Sequence, residues 1–229
     1  MFQKLNILLK AFPNFNLVTF ITSVEKNLTD CKTILDVGCG DNSPLRLFQG
    51  NYKTVGMDGY KKAIDISRRV KIHNKYIVGD IRKILTKVNP KSFDAVIALD
   101  VIEHLTKHDG YQFLTDIEKI AKKRIIIVTP NGFMVQKNNI NNLQEHLSGW
   151  TVRDFEKKGY RVKGLYGLKR IIEPFRTDSG GFKYKPKLLW GIFWGLALEI
   201  THYTFTKNHP KHSFSLLAVK RLDFFGNDH

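Results

Sequence analysis

The sequence predicts an α/β protein built on a doubly wound, seven-stranded sheet, mostly parallel with an antiparallel last strand, and with helices on both faces. Three observations carry this expectation. Apolar strand-like runs alternate with helical periodicity from residue 33 to residue 129. Three of those runs end on an acid: Asp58, Asp80 and Asp100. Two later runs, 161–166 and 214–220, have no regular helical crossover between them, which predicts an antiparallel pair at a sheet edge.

Residues 4–29 follow a helical rhythm broken at Pro13-Asn14, which predicts two short helices. Thr33-Ile-Leu-Asp-Val37 is a short buried strand ending in Gly38-Cys39-Gly40, and 44–49 read as the start of a helix. Residues 53–58 form the second strand. The helix at 60–71 places Ala63, Ile64, Ile66 and Val70 on one side. The third strand is 75–80. The fourth, 92–100, is apolar on consecutive residues and so buried on both faces. A helix over 109–122 leads to the fifth strand, 123–129, closed by Pro130-Asn131-Gly132. Thr151-Val-Arg-Asp154 has the form of a capping box that opens a helix ending at Gly159. Right-handed crossovers put the carboxyl ends of the parallel strands, and hence the acids and the glycine turn, on one edge, where open α/β sheets bind ligands.

Composition sets looser bounds. The 229 residues suffice for one substantial domain, and the net charge of +16 divides evenly between residues 1–150 and 151–229. Spread charge favours polyanions without choosing among nucleic acid, anionic lipid and acidic small molecules. Cys31 and Cys39 have neither disulfide-framework nor zinc spacing, so a reducing intracellular setting and no metal site are expected. The first ten residues, broken by Lys4 and Lys10, are not expected to be a signal peptide.

The glycine turn raises a chemical question. A phosphate-cradling G-x-G-x-x-G would need a third glycine, but Gly38 and Gly40 are followed by Asn42-Ser43-Pro44, and Asp36 ends the strand. A carboxylate repels a pyrophosphate and attracts an ammonium group. The ligand suggested is a nucleoside carrying an amine, and a dehydrogenase is disfavoured.

Asp36-x-Gly38-x-Gly40, Asp58, Gly79-Asp80 and Asp100-Val-Ile-Glu-His104, in this order, resemble the class I S-adenosylmethionine-dependent methyltransferases, with a motif set similar to the small-molecule, quinone O-methyltransferases. The resemblance covers roughly residues 30–170 plus the last strand and implies a Rossmann-like fold. It implies that Gly38, Cys39 and Gly40 let the backbone approach the methionine moiety, with Asp36 nearby. It further implies that Asp58 and Gly59 hold the ribose, Asp80 and Ile81 the adenine, and Leu99, Asp100 and Val101 the floor beside the sulfonium. Asn42 replaces the family's third glycine. The division expected is one methyltransferase domain, 1–229. It has N-terminal helices over 1–30, a cofactor-binding core over 31–170, a long insertion over 171–213 and the last strand over 214–222.

On the acceptor side, His104 is the candidate general base, the alternative being that Glu103 and His104 only cap the next helix. Asn131, His146 and Trp150 are candidate acceptor contacts, with Trp150 alternatively a core anchor and His146 a local hydrogen-bonder. Leu188–Leu198 is an apolar run too short to span a bilayer. It reads as a lid, as a helix in a membrane interface aided by Lys183, Lys185 and Lys187, or as a buried helix closing the core; any peripheral membrane contact would run through 183–206. The function expected is methyl transfer to a small-molecule or lipid-linked acceptor, at oxygen, in the cytoplasm or at its membrane face. The alternatives are an RNA methyltransferase and a non-catalytic S-adenosylmethionine-binding protein. Nucleic acid is disfavoured because the Asp/Asn-Pro-Pro-aromatic run of base-amine methyltransferases is replaced by Asp100-Val-Ile-Glu103.

Overall fold

The computed structural model describes residues 15–136, 142–177 and 188–222. The expected first helix (residues 4–12), most of the asparagine-rich stretch 138–142 and Lys183, Lys185 and Lys187 lie outside the described residues. Seven strands form one sheet: β1 (Thr33–Val37), β2 (Lys53–Asp58), β3 (Lys75–Val78), β4 (Phe93–Leu99), β5 (Ala121–Pro130), β6 (Arg161–Leu168) and β7 (Ser213–Arg221). Their order is β3-β2-β1-β4-β5-β7-β6. Pairings among β1 to β5 are parallel, whereas β7 runs antiparallel to both β5 and β6. The helices are α1 (Phe15–Glu25), α2 (Lys61–Arg69), α3 (Ile81–Ile84), α4 (Lys107–Ile120), α5 (Val152–Glu156), α6 (Lys169–Ile172) and α7 (Leu188–Thr201).

The consecutive apolar residues of the central strands divide between two cores. Leu35, Val96, Ala98, Ile125 and Ile127 point to the face covered by Phe113, Leu114 and Ile117 of α4. Ile34, Ala95, Ile97, Ile126 and Val128 point to the other, covered by Phe20 and Val24 of α1 and by Leu28. All these strand residues are fully buried, as a sheet covered on both sides requires. Removing one such side chain, as in Leu114→Ala, costs about 2–5 kcal/mol.

Three local expectations need correction. Residues 44–49 give only a 3-10 turn, Pro44–Leu47, opened by Ser43 and stopped by extended Phe48. In α2 the buried residues are Ala63, Ile64 and Ser67, while Ile66 falls off that side of the helix and Val70 is already the cap of a helix that ends at Arg69, so both are exposed. The capping box at Thr151 and Asp154 forms with both reciprocal bonds, but its helix stops at Glu156, before the expected end.

Candidate active site

The carboxyl ends of the parallel strands gather the acids and the glycine turn as their order requires. Register pairs Asp36 with Gly56 and Val37 with Met57, so β1 and β2 end side by side. The amides of Gly38 and Cys39 both donate to the Met57 carbonyl, at 2.7 and 3.0 Å. Gly38 is left-handed (φ 70°), and a Cβ there would run into the Val101 side chain. Gly40 is also left-handed (φ 59°), but no atom lies within 4 Å of where its Cβ would stand. At Gly38 glycine is demanded by protein packing. At Gly40 it is demanded by the turn, and it leaves the backbone open to a ligand.

Asp58 stiffens this turn. One carboxylate oxygen accepts from the Gly40 amide at 2.8 Å and the other from the Tyr60 amide at 2.7 Å. Gly59 follows it beside the Gly79 carbonyl. Asp80 caps α3 through the Arg82 amide, and its two oxygens also take a fork from the Arg82 guanidinium, at 2.7 to 3.1 Å. Ile81, half-buried, opens α3. Asp36 is buried; it accepts from the Ser43 hydroxyl at 2.5 Å and lies 3.4 Å from His73 Nε2. Burial pushes its carboxyl up to about 7, against the Ser43 hydrogen bond. A cavity of about 190 Å³ is lined by Asp36, Gly38, Cys39, Gly40, Ser43 and Leu99, among others. A hollow of about 400 Å³ lies at the opposite end of β2, against Tyr52, Thr54, His73 and Asn74. No carboxyl end of a strand and no carboxylate lines it, so the smaller cavity is the candidate ligand site.

Beyond β4, Asp100 adopts left-handed backbone (φ 54°) with its amide bonded to the Val128 carbonyl. Val101 packs under Gly38. The turn Ile102–His104 then turns Glu103 inward. Glu103 accepts from the Thr129 hydroxyl at 2.8 Å through Oε2, while buried Oε1 has no hydrogen-bond partner among the described residues. Burial, reinforced by the Asp100 charge, pushes its carboxyl well above the usual carboxylate range. The carbonyl of Glu103 accepts from the amides of Leu147 and Ser148, which brings the 145–148 segment to the end of β4. His146 is thereby held against His104, with ring centroids 4.9 Å apart.

Each ring's Nδ1 faces a backbone carbonyl, that of Glu145 for His104 (3.1 Å) and that of Met134 for His146 (2.7 Å). In the neutral rings Nδ1 therefore carries the proton and Nε2 the lone pair. Burial holds both rings below the ordinary imidazole range, His146 at about 4. Glu103, His104 and His146 each offer one donor atom, all within 4.8 Å of one another. This is a set that can hold a divalent cation. Neither Glu103 nor His104 caps the next helix, since Thr106 does so through its hydroxyl.

Two expected acceptor contacts are structural instead. Trp150 is fully buried, with its indole N–H donating to the Ser148 hydroxyl and Lys107 over its ring, so the core-anchor alternative holds. Asn131 is buried, and its amide donates to the carbonyls of Pro210, Lys211 and Ser213, tying β5 to the entry of β7. Sequence reasoning missed Arg176, the charged neighbour of both Asp100 and His146, and the inward turn of Glu103. No local motif announces Arg176. For Glu103 the available signal is its place between apolar Ile102 and His104 in a turn leaving a buried strand.

The family described as Methyltransferase domain matches residues 35–129, from the glycine-turn strand through Asp58, Asp80, Asp100 and His104 to Thr129. Residues 35–129 thus carry a methyltransferase domain. Its cofactor is S-adenosylmethionine. The fold of this methyltransferase recurs in an S-adenosylmethionine-dependent methyltransferase from Archaeoglobus fulgidus (15% identity, TM-score 0.58, covering 89% of this chain and 92% of that one). It recurs in small RNA methyltransferase HEN1 (16%, TM-score 0.55, 90% and 25%). A third instance is phosphoethanolamine N-methyltransferase 2 of Haemonchus contortus, in complex with S-adenosylmethionine (18%, TM-score 0.53, 90% and 52%). No curated protein matches the methyltransferase in sequence.

Proposed function

We propose that the methyltransferase moves the methyl group of S-adenosylmethionine to an oxygen of a small-molecule or lipid-linked acceptor. The methionine moiety lies along Gly38, Cys39 and Gly40, its ammonium toward Asp36; Asp58 and Gly59 take the ribose, Asp80 and Ile81 the adenine, and Leu99, Asp100 and Val101 the floor beside the sulfonium. The observation that carries the acceptor half is the cluster of neutral His104 and His146 with buried Glu103, directly after that floor. In the transfer the methyl–sulfur bond breaks as the methyl–oxygen bond forms, and the acceptor's hydroxyl proton passes to His104 Nε2. Arg176 beside this cluster favours an acceptor with an anionic group. HEN1 and phosphoethanolamine N-methyltransferase are named for acceptors as unlike as small RNA and phosphoethanolamine, so the fold itself does not choose among them.

The test supplies methyl-labelled S-adenosylmethionine with lipid and quinone extracts and, separately, with RNA. Label recovered as methyl ether or ester in the lipid fraction is the expected result. Label confined to RNA, or to a nitrogen, would contradict the reading.

A second reading of the cluster is favoured by the unpartnered Glu103 Oε1: Glu103, His104 and His146 hold a divalent cation. Such an ion would lower the pKa of an acceptor hydroxyl bound beside it. Calorimetric titration of the apo chain with magnesium, manganese and zinc salts tests it, with binding expected for wild type and weakened about tenfold or more in Glu103→Gln. Equal affinity in both proteins would exclude this ligand set.

A further inference from the structure

Helix α7 is apolar all round; its one charged residue is Glu199. That residue is turned inward, accepting from the Thr19 hydroxyl at 2.5 Å. The same inner side buries Leu198 in a cluster with Met134, Ile172 and Phe214. On the outer side Phe193, Leu196 and Ile200 recur at helical spacing, and Tyr203 continues the row into the π-helical turn His202–Thr206. These four are 66%, 41%, 61% and 55% exposed. Water-facing helix positions are ordinarily polar, and a helix apolar on every side is one that something covers. Fourteen residues reach about 21 Å, short of the roughly 30 Å of a bilayer's hydrocarbon. No helix among the described residues is long and apolar enough to cross a membrane.

Charge selects the cover. The Lys207 ammonium stands 5.5 Å from the Tyr203 ring, at the end of the apolar row. Lys26 carries its charge close to both Lys207 and Lys163, and Lys211 is exposed just beyond. The Glu199 carboxylate is taken up by the Thr19 hydroxyl, which also lies 3.4 Å from the Tyr203 hydroxyl, so α7 leaves no free negative charge against this rim. A second protein copy would bring the same lysines against themselves, whereas anionic headgroups meet them with opposite charge.

We propose that the outer face of α7, from Phe193 to Tyr203, docks on an anionic lipid bilayer. Its aromatic and aliphatic side chains enter the acyl boundary, and the lysines reach the headgroup phosphates along their own methylene stems. The docked face lies one layer of side chains from the acceptor cluster, since Leu198 packs with Met134, whose carbonyl holds His146. The docking does not depend on which acceptor is methylated.

The experiment sediments the full chain with vesicles of phosphatidylcholine alone and of phosphatidylcholine with about a third phosphatidylglycerol, at low and high salt. Wild type is expected to partition about tenfold more onto the anionic vesicles, and less as salt rises. The double variant Phe193→Glu with Ile200→Glu is expected to lose about tenfold in partition. Its unfolding temperature and S-adenosylhomocysteine affinity should not change, because both side chains are exposed. Lys207→Glu should lower partition by a smaller factor. Equal partition of wild type and the double variant, or no vesicle binding by wild type, overturns the proposal. So does a dimer that Ile200→Glu dissociates in the absence of any vesicle binding, which would give this face to a second copy.

Discussion

Along β1, β2 and β3 the candidate cofactor residues stand at the ends of adjacent parallel strands, and much of what they present is backbone held by carboxylates. Asp58 fixes the Gly40 and Tyr60 amides, and the Met57 carbonyl fixes those of Gly38 and Cys39. The candidate acceptor residues Glu103, His104, His146 and Arg176 come instead from three segments far apart in the chain, and they present side chains at a loop junction, Glu103 and His146 buried and His104 and Arg176 half-buried. The first region is a fixed consequence of strand order. The second depends on packing of loops that the sheet does not dictate. Substitutions should therefore separate the two: cofactor affinity should follow the strand ends, and turnover should follow the loop cluster.

The largest effect is expected from Gly38→Ala. It forces an alanine into left-handed backbone and drives its methyl into Val101, for about 2–3 kcal/mol of stability and loss of measurable cofactor binding. Thermal unfolding and calorimetry check it; a variant that binds like wild type would show that the turn is not the cofactor site. His104→Gln should lower kcat by about 10² or more while leaving cofactor affinity within about twofold. A parallel loss of affinity would break the separation of the two regions.

Asp36 gives a smaller, signed effect. Burial raises its pKa to about 7, so the folded chain keeps a proton that the unfolded chain has lost. Its contribution to stability is complete below about pH 4 and is lost as the pH rises through about 7, so Asp36→Asn should flatten that part of the pH–stability curve. A bound ammonium favours the ionised carboxylate, so S-adenosylhomocysteine affinity should rise through the same window in wild type and stay level in the variant. The smallest effect is expected from Arg82→Ala. It removes an exposed pair with Asp80 but leaves the cap to the Arg82 amide, and should change stability by about 0.5 kcal/mol or less.

The contrast also explains what could be read in advance. The sheet, its antiparallel β7 and the acids at the strand ends follow from local periodicity and crossover handedness, so they are legible residue by residue. The pairing of His104 with His146 needs the Glu103 carbonyl to capture the Leu147 and Ser148 amides across some forty positions, and no periodicity encodes that. Trp150 and Asn131 sit near the site in sequence order, but burial turns one into the core and the other toward the entry of β7. Helix α7 looked alike on every side in sequence. Only its packing against α1 and β6 shows which apolar face is covered and which is not.

The most direct test of the cofactor edge is calorimetric titration of the purified chain with S-adenosylhomocysteine, in parallel with Asp58→Ala. The account predicts binding by wild type and a loss of about tenfold or more, roughly 1.4 kcal/mol, in the variant, with stoichiometry near one for wild type. Equal affinity in the two proteins, or no binding by folded wild type, would contradict the placement of the cofactor along Gly38, Gly40 and Asp58.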